Sequence, residues 1–349
     1  MSNPVVKKIF RFVAIVVFNL AAIVAILYGF EFLFSPYRRL PKDGWIGNER
    51  YTWGHLVVNN RFGFREREFD IPKPEGVYRV MALGDSFTWG VGLAEEERYT
   101  AIAQSLLEAA FPGKKFEILN FGSPGLSTVD EKDRINKYID QVDPDLIVVG
   151  FTLNDTQPRS QDYSIEREEL DRRGGYLLRK FTYQLYRFGL RFVADSVRKA
   201  FYTPFELRRV IPTWETALNR TYDEDSDEWK AFEQALYAIK STSEKRGLPG
   251  PVFLILNQGT STSQPTDYGN PDEELKLYLR WYHQAEQAAE QLGYVVYDHE
   301  AEIAAHLTDE PLSVNPLDAH PSARLNQIYG EKLYQAIAQL LDQAPQKQP

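Results

Sequence analysis

The sequence predicts an α/β protein whose parallel sheet is covered by helices on both faces and is preceded by one membrane-spanning helix. Short apolar segments alternate with amphipathic segments of helical length along most of the 349 residues, which is typical of β-α-β units. The most apolar short segment is 145–151 (DLIVVGF), as expected of a strand buried on both faces. One apolar run, 12–34, is long enough to cross a bilayer.

The run 12–34 is apolar except for Asn19, Gly29 and Glu31. At about 1.5 Å per residue it covers a hydrocarbon core of about 30 Å. A cleavable signal peptide has a shorter apolar core and a small-residue cleavage site, and no convincing Ala-x-Ala follows this run. We therefore expect residues 1–11 to form a short cytoplasmic tail and 12–34 an uncleaved anchor, with a cleaved signal peptide as the alternative.

Basic residues flank the run on both sides, so the positive-inside rule does not orient it. They are Lys7, Lys8 and Arg11 before it and Arg38, Arg39 and Lys42 after it. A very short tail followed by one long domain favours translocation of that domain. We expect a single-pass protein of the cell (inner) membrane whose body is extracytoplasmic.

Residues 35–76 are interpreted as a loop-rich connector and 77–345 as the main domain, with an insertion at about 156–225. The predicted strands are 79–83, 116–120, 145–151, 252–257 and 294–297, and the predicted helices are 99–110, 129–141, 273–292 and 323–341. The insertion carries apolar residues at helical spacing with basic residues among them, namely Leu177, Phe181, Leu185, Phe188 and Phe192. Such a stripe suits a helix on a membrane surface, or a cap that packs on the main domain and controls access to the sheet edge. We favour the cap.

Composition excludes several classes of function. A net charge of −9 gives no reason to expect nucleic-acid binding, and the chain has no cysteine for a disulfide, a thiolate metal site or a cysteine nucleophile. No His, Asp and Glu cluster has metal-ligand spacing, and no phosphate loop or dinucleotide fingerprint occurs. We therefore expect neither a metal nor a cofactor.

Four polar segments follow predicted strands or precede the closing helix: 84–86 (GDS), 120–125 (NFGSPG), 152–155 (TLND) and 318–321 (DAHP). The carboxyl ends of parallel strands meet at the edge where open α/β sheets bind ligands, so these segments are expected to lie together. A serine hydroxyl needs a base within reach to become a nucleophile, and an aspartate can orient a histidine base. Ser86, His320 and Asp318 are the candidates for these three tasks.

In this order the four segments resemble the blocks of the SGNH (GDSL-type) hydrolase family, over residues 59–342. The motif GDSFTWG is the most specific match, and the resemblance includes Gly63, Phe64 and Arg65 before the first strand. It implies a three-layer α/β/α sandwich with a five-stranded parallel sheet. The chain departs from the family pattern at Thr152, where a glycine is usual, and in having one residue rather than two between Asp318 and His320.

The resemblance also implies an oxyanion hole made by the backbone N–H groups of Ser86 and Gly125 and the side-chain amide of Asn154. Gly122 is an alternative to Gly125. Asp85 is expected to hold the nucleophile loop through hydrogen bonds. The only rival to the histidine pair is His299 beside Asp298, which lacks a helix start after it; the remaining histidines have ordinary explanations.

These residues predict a membrane-anchored serine esterase that cleaves acyl esters, above all acetyl esters, of an envelope carbohydrate or lipid through an acyl-Ser86 intermediate. The first alternative is a polysaccharide O-acyltransferase that uses the same triad with a membrane-bound acyl-donor partner. The second is a non-catalytic envelope binding or assembly protein. The presence of Ser86, Asn154 and His320 together argues against the second, because a binding protein needs no such set.

Overall fold

The computed structural model describes residues 4–157, 174–207, 214–257, 271–298, 300, 302 and 312–343. The chain divides into two compact units. The first joins residues 1–56 to 163–213, and the second joins 57–162 to 214–349. Most of the predicted insertion therefore folds with the amino-terminal residues.

The strands, in chain order, are β1 (Gly44–Ile46), β2 (Glu49–Thr52), β3 (His55–Leu56), β4 (Val77–Gly84), β5 (Lys115–Asn120), β6 (Leu146–Phe151), β7 (Val252–Ile255), β8 (Val295–Tyr297), β9 (Ser313–Asn315) and β10 (Asp318–Pro321). The α-helices are α1 (Pro4–Phe34), α2 (Ser86–Trp89), α3 (Tyr99–Ala110), α4 (Thr128–Val142), α5 (Gly175–Arg187), α6 (Arg191–Leu207), α7 (Trp214–Thr221), α8 (Asp227–Lys245), α9 (Pro271–Gln291) and α10 (Ala323–Gln343). Short 3-10 helices occur at Pro36–Arg39 and Leu153–Thr156.

The second unit contains the predicted five-stranded sheet, with strand order β5-β4-β6-β7-β8 and every neighbouring pair parallel. The chain leaves β4 for β5 on one side and then returns to place β6 on the other. The strand order therefore reverses at β4. In open α/β sheets this reversal opens a crevice beyond the carboxyl ends of the strands, where ligands bind.

Alternate residues of the sheet face two separate apolar layers, as the two-residue repeat of a strand requires. Met81 and Leu83 of β4 pack in one layer with α4, α8 and α9. Val80 and Ala82 pack in the other with α3 and α10. All four side chains are fully buried. The predicted three-layer α/β/α sandwich is confirmed.

Two small antiparallel sheets were not predicted. The connector is not merely loop-rich, because β1, β2 and β3 form a sheet within it, and β9 pairs with β10 in a hairpin before the closing helix. These strands have two to four residues each, too few for an apolar alternation to stand out. The turns do carry a signal, since Gly47, with φ of +62°, lies between β1 and β2.

In the first unit, α1 is long and apolar enough to be either a membrane span or a signal sequence. The helix begins at Pro4, before the apolar run, because the basic residues that precede the run are also helix formers. Glu31 near its end accepts hydrogen bonds from the backbone N–H groups of Phe192 and Val193, both at 3.0 Å. These are orphan donors at the start of α6, so the Glu31 carboxylate caps that helix.

The Arg191 side chain connects β2 and β3 to α6 within the same unit. Its guanidinium lies 4.1 Å from the ring centre of Tyr37 and 4.8 Å from that of Trp53, and it pairs with Asp43 at 2.8 Å. The Tyr37 hydroxyl donates to Asp195 at 2.7 Å. Burial and this carboxylate raise the pKa of Tyr37 to about 12, so the phenol remains a donor at neutral pH.

We predict that Gly84→Ala destabilises the second unit more than an ordinary glycine substitution does. A Cβ at position 84 would lie 2.6 Å from Thr88 Cβ and 2.9 Å from the carbonyl oxygen of Gly150. Gly113 is the matched control, because its φ is also positive (+91°) but its surroundings are open. We expect about 1 kcal/mol for Gly113→Ala and a further 1–3 kcal/mol, roughly, for Gly84→Ala. Urea unfolding of the full chain in detergent micelles measures both, and equal losses would contradict the steric argument.

Candidate active site

The first predicted site segment forms a sharp turn between β4 and α2. Ser86 is the first residue of α2, and Asp85 is its N-cap, with the carboxylate accepting from the Phe87 N–H at 2.8 Å. The carbonyl oxygen of Gly84 accepts from the Ser123 N–H at 3.1 Å, which joins this turn to the segment after β5. The serine therefore lies at the carboxyl edge of the sheet, at the strand where the order reverses.

The Asp85 carboxylate connects the first and third segments. Besides the cap it accepts from the Ser86 hydroxyl and from the Asn154 side-chain amide, each at 3.1 Å. Asp85 is almost fully buried, so these hydrogen bonds replace its hydration. The expectation that Asp85 holds the nucleophile loop agrees with these contacts.

The third segment follows β6 and forms the 3-10 helix Leu153–Thr156. Thr152 is its N-cap, and its hydroxyl donates to the amide oxygen of Asn154 at 2.8 Å. That bond turns the amide nitrogen of Asn154 toward Asp85. The φ of Thr152 is −129°, which any residue adopts, so this turn does not need the glycine that is usual in the family.

Asp318 and His320 lie on β10, and their separation by one residue has a structural reason. The pairing of β10 with β9 shifts register between Asp318 and Pro321, and an aspartate side chain can hydrogen-bond the backbone N–H two residues further on, as in an Asx-turn. The Asp318 carboxylate accordingly contacts the Nδ1 atom of His320 at 2.5 Å and accepts from the His320 backbone N–H at 3.0 Å. At this irregular point of the strand, the separation by one residue brings the carboxylate and the imidazole into contact.

The histidine ring lies beside the nucleophile turn. Its centroid is 5.6 Å from the ring centroid of Phe87, the residue after Ser86, in an edge-on arrangement of 63°. The structure thus brings Ser86, Asp85 and Asn154 together by hydrogen bonds, and it brings His320 to the same turn through an aromatic contact. The rival residue His299 lies outside the described residues.

The second segment supplies two glycines with different surroundings. The Gly122 N–H donates to the side-chain oxygen of Asn120 at 2.9 Å, and a Cβ there would lie 2.6 Å from the backbone nitrogen of Trp89. Gly125 is exposed in a left-handed turn, with φ of +73°. Within the described part of the chain, its N–H has no protein acceptor.

Sequence reasoning missed the buried charges that support this turn. The Arg65 guanidinium donates to the carbonyl oxygens of Gly90 at 2.7 Å and Leu93 at 2.5 Å, just after α2. Arg98 in turn donates to the Arg65 carbonyl oxygen and pairs with Glu66 at 3.7 Å. All three charged side chains are buried. The Gly-Phe-Arg element before β4 was the available signal, but a charged run of this kind is more often solvent-exposed.

Two further buried carboxyl groups lie behind the site. Glu131 of α4 is fully buried and both of its carboxylate oxygens lack a hydrogen-bond partner in the described residues. One oxygen of Asp155 is also unpartnered, while the other accepts from the Thr152 N–H at 2.7 Å. Burial, aided by the charge of Asp85, raises the pKa of Glu131 to about 8. Burial and the charges of Glu131 and Asp85 raise the pKa of Asp155 well above its usual range.

An open α/β sandwich with a serine turn after its first parallel strand and a His–Asp pair before its last helix defines a class of serine hydrolases. Residues 82–328 match the model of the GDSL-like Lipase/Acylhydrolase family, and the chain belongs to that family. It is a serine ester hydrolase of the SGNH type, acting on ester substrates.

Solved structures with a similar fold are esterases and hydrolases of low sequence identity. An α/β hydrolase enzyme from the metagenome of Lake Arreo, LAE5, is 14% identical with a TM-score of 0.43, over 75% of this chain and 95% of that chain. The acetylxylan esterase Axe2 of Geobacillus stearothermophilus, as a catalytic mutant, is 15% identical with a TM-score of 0.44, over 74% and 94%. The psychrotrophic esterase EstA of Pseudoalteromonas sp. is 13% identical with a TM-score of 0.40, over 76% and 99%.

The search among curated protein sequences gave no match.

The buried Glu131 predicts a pH dependence of stability. Its carboxyl holds a proton more tightly in the folded chain than in the unfolded chain, where the pKa lies near 4.5. The folded state is therefore favoured at acid pH and loses this advantage as the pH rises toward about 8. Glu131→Gln, which cannot ionise, should lose less stability than the wild type between about pH 5 and about pH 8.5.

Asp133→Asn is the control, because Asp133 is an exposed carboxylate of the same helix. Urea unfolding of the full chain in detergent micelles at both pH values gives the difference. Parallel pH profiles for the wild type and Glu131→Gln would contradict the prediction, while Asp133→Asn should follow the wild type.

Proposed function

We propose that Ser86, His320 and Asp318 form the catalytic triad of this esterase, with Ser86 as nucleophile, His320 as general base and acid, and Asp318 as orienter. The Asp318–His320 pair carries the proposal. Its two side chains contact each other at 2.5 Å, and the histidine ring packs against the residue that follows Ser86. A carboxylate at Nδ1 holds the tautomer whose Nε2 accepts a proton, and it stabilises the imidazolium that then forms.

The first chemical step joins Ser86 Oγ to the carbonyl carbon of the ester. The hydroxyl exchanges its hydrogen bond with Asp85 for one with His320, and its proton passes to Nε2. When the tetrahedral intermediate collapses, the bond to the alcohol breaks and His320 returns the proton to the leaving oxygen. Water then attacks acyl-Ser86 by the same route, releasing the carboxylic acid and the free serine.

We propose that the oxyanion of the tetrahedral intermediate accepts hydrogen bonds from the backbone N–H groups of Ser86 and Gly125 and from the side-chain amide of Asn154. One hydrogen of the Asn154 amide binds Asp85, which leaves the other for an oxyanion. Gly125 is favoured over Gly122 because the Gly122 N–H already donates to Asn120. Removing a single oxyanion donor costs about 10²–10³ in turnover in enzymes of this kind.

We further propose that α1 anchors the enzyme in the cell (inner) membrane, with the hydrolase outside the cytoplasm, where it removes acetyl or other acyl groups from an envelope carbohydrate or lipid. The length and apolar character of α1 support the anchor. The triad serves equally for transfer, in which a sugar hydroxyl replaces water and a membrane-bound partner supplies the acyl group. After acyl-Ser86 has formed, the two reactions differ only in the acceptor, so their products distinguish them.

The triad assignment predicts that Ser86→Ala and His320→Ala lose nearly all turnover, on the order of 10⁶ in kcat. Hydrolysis of p-nitrophenyl acetate by the full chain in detergent measures this, and labelling by a fluorophosphonate probe should vanish in Ser86→Ala. Ser123→Ala, in the neighbouring segment, and His283→Ala, an exposed histidine, are matched controls that should retain activity. An active Ser86→Ala, or wild-type chain that folds without labelling, would contradict the assignment.

The esterase proposal predicts that carboxylic acid and alcohol accumulate in equal amounts even when oligosaccharide acceptors are present. Mass spectrometry of the products, with p-nitrophenyl acetate as donor and the full chain in detergent, makes the comparison. Acylated oligosaccharide formed at the expense of free acid, and absent with Ser86→Ala, would instead establish the transferase. A series of longer p-nitrophenyl esters tests the preference for acetyl.

A further inference from the structure

We propose that α5 and Phe188, the residue after it, lie in the boundary between headgroups and acyl chains of the bilayer that α1 crosses. The proposal rests on the anchoring proposed above and goes beyond it, because it assigns a second membrane contact to the chain. It concerns the first unit alone, in which α1 contacts Phe188, α6 and the apolar cluster between α5 and α6.

The first observation places the end of α5 beside the anchor. The Tyr28 hydroxyl of α1 donates to the Phe188 carbonyl oxygen at 2.9 Å. Leu27 packs against the apolar cluster between α5 and α6, which contains Leu185 and Leu190. Two consecutive residues of α1 therefore make contact here, Tyr28 through a hydrogen bond and Leu27 through apolar packing.

The second observation places the start of α6 at the same level. Phe192 stacks on Phe30 of α1, with ring centroids 5.4 Å apart and planes inclined by 20°. Glu31, the one acidic residue of the apolar run, caps α6 through both carboxylate oxygens. A carboxylate near the hydrocarbon boundary thus has its hydrogen bonds supplied by protein.

The rise per residue of α1 gives the depth of these contacts in the bilayer. At about 1.5 Å per residue, Tyr28 lies about 9 Å along the axis from Phe34, where α1 ends. The apolar run 12–34 is about 34 Å long, only slightly more than a hydrocarbon core of about 30 Å. Residues 28–31 therefore fall in the outer part of the hydrocarbon core or at its boundary. The Phe188 carbonyl oxygen is hydrogen-bonded to the Tyr28 hydroxyl and therefore lies within about one tyrosine side-chain length of that depth.

The third observation is the exposed face of α5. Leu177, Phe181 and Phe188 share one side at spacings of four and seven residues, and their exposed fractions are 70%, 55% and 66%. Leu185, four residues after Phe181, lies at the edge of that side and packs against α6, while Gly175 and Thr182 are buried on the side that faces away from the exposed residues. A largely exposed apolar side, next to α1 through Phe188, fits the acyl-chain boundary.

Polar residues beside that face suit the headgroups. Lys180 and Arg187 are exposed, and the Lys180 ammonium lies 4.4 Å from the ring centre of Tyr176. Basic side chains whose stems lie along apolar surface, together with tyrosines, are typical of helices in the interface of an anionic membrane. This charge favours lipid over a second copy of α5, whose basic residues would repel it.

The chain has no cysteine, so single nitroxide labels can be attached at chosen positions without altering other residues. We would label Leu177→Cys, Phe181→Cys and Arg187→Cys in the full chain, reconstituted in vesicles of phosphatidylcholine and phosphatidylglycerol. Phe18→Cys, in the middle of α1, reports whether the anchor spans. The measurement is collision of each label with oxygen, which concentrates in acyl chains, relative to a water-soluble nickel chelate. Unchanged hydrolysis of p-nitrophenyl acetate confirms that each labelled chain is folded.

We expect the oxygen-to-nickel ratio at positions 177 and 181 to be severalfold higher than at 187, and highest at 18. Water-like values at 177 and 181 with a high value at 18 would overturn the α5 proposal and leave the anchor intact. A water-like value at 18 would overturn the anchor and the α5 proposal together. Dipolar broadening between labels at position 177 would show that a second copy covers this face, which also overturns the proposal.

Discussion

The buried carboxylate of Asp85 holds the candidate site together. Asp85 directly follows β4, and its carboxylate caps α2 and accepts hydrogen bonds from the Ser86 hydroxyl and the Asn154 amide. Two segments that follow different strands are thereby fixed to each other by one acceptor group. Burial raises the pKa values of Glu131 and Asp155, and the negative charge of Asp85 adds to that rise, so their protonated forms are favoured.

The base and its orienter are organised differently from the nucleophile. The position of Ser86 depends on the five-stranded sheet, because Ser86 follows β4, where the strand order reverses. Asp318 and His320 instead belong to the β9–β10 hairpin, which has its own hydrogen bonds. The backbone and ring of His320 both bind the same carboxylate. The internal geometry of this pair is consequently independent of the sheet, and only its distance from Ser86 depends on how the hairpin packs.

The sequence predicted the sheet, its layers and the segments at its carboxyl edge because these depend on local patterns. Buried strands such as β6 are continuous apolar runs, and the four polar segments fall where those runs end. The β9–β10 hairpin and the β1–β2–β3 sheet were not predicted, because strands of two to four residues are too short to show an alternation of apolar and polar residues. The support from Arg65 and Glu131 escaped for another reason. Their burial is a property of the tertiary structure, and by residue type alone both would be placed on the surface.

Because Glu31 caps α6, helix α1 also stabilises the fold of the first unit. A fragment shortened to begin after residue 34 would lose the acceptor for two backbone N–H groups and the aromatic partner of Phe192. It would also uncover the apolar cluster around Leu185 that Leu27 covers. For α6, helix α1 is thus part of the tertiary structure, and a version of this enzyme without α1 calls for redesign of α5 and α6 rather than simple removal of the amino terminus.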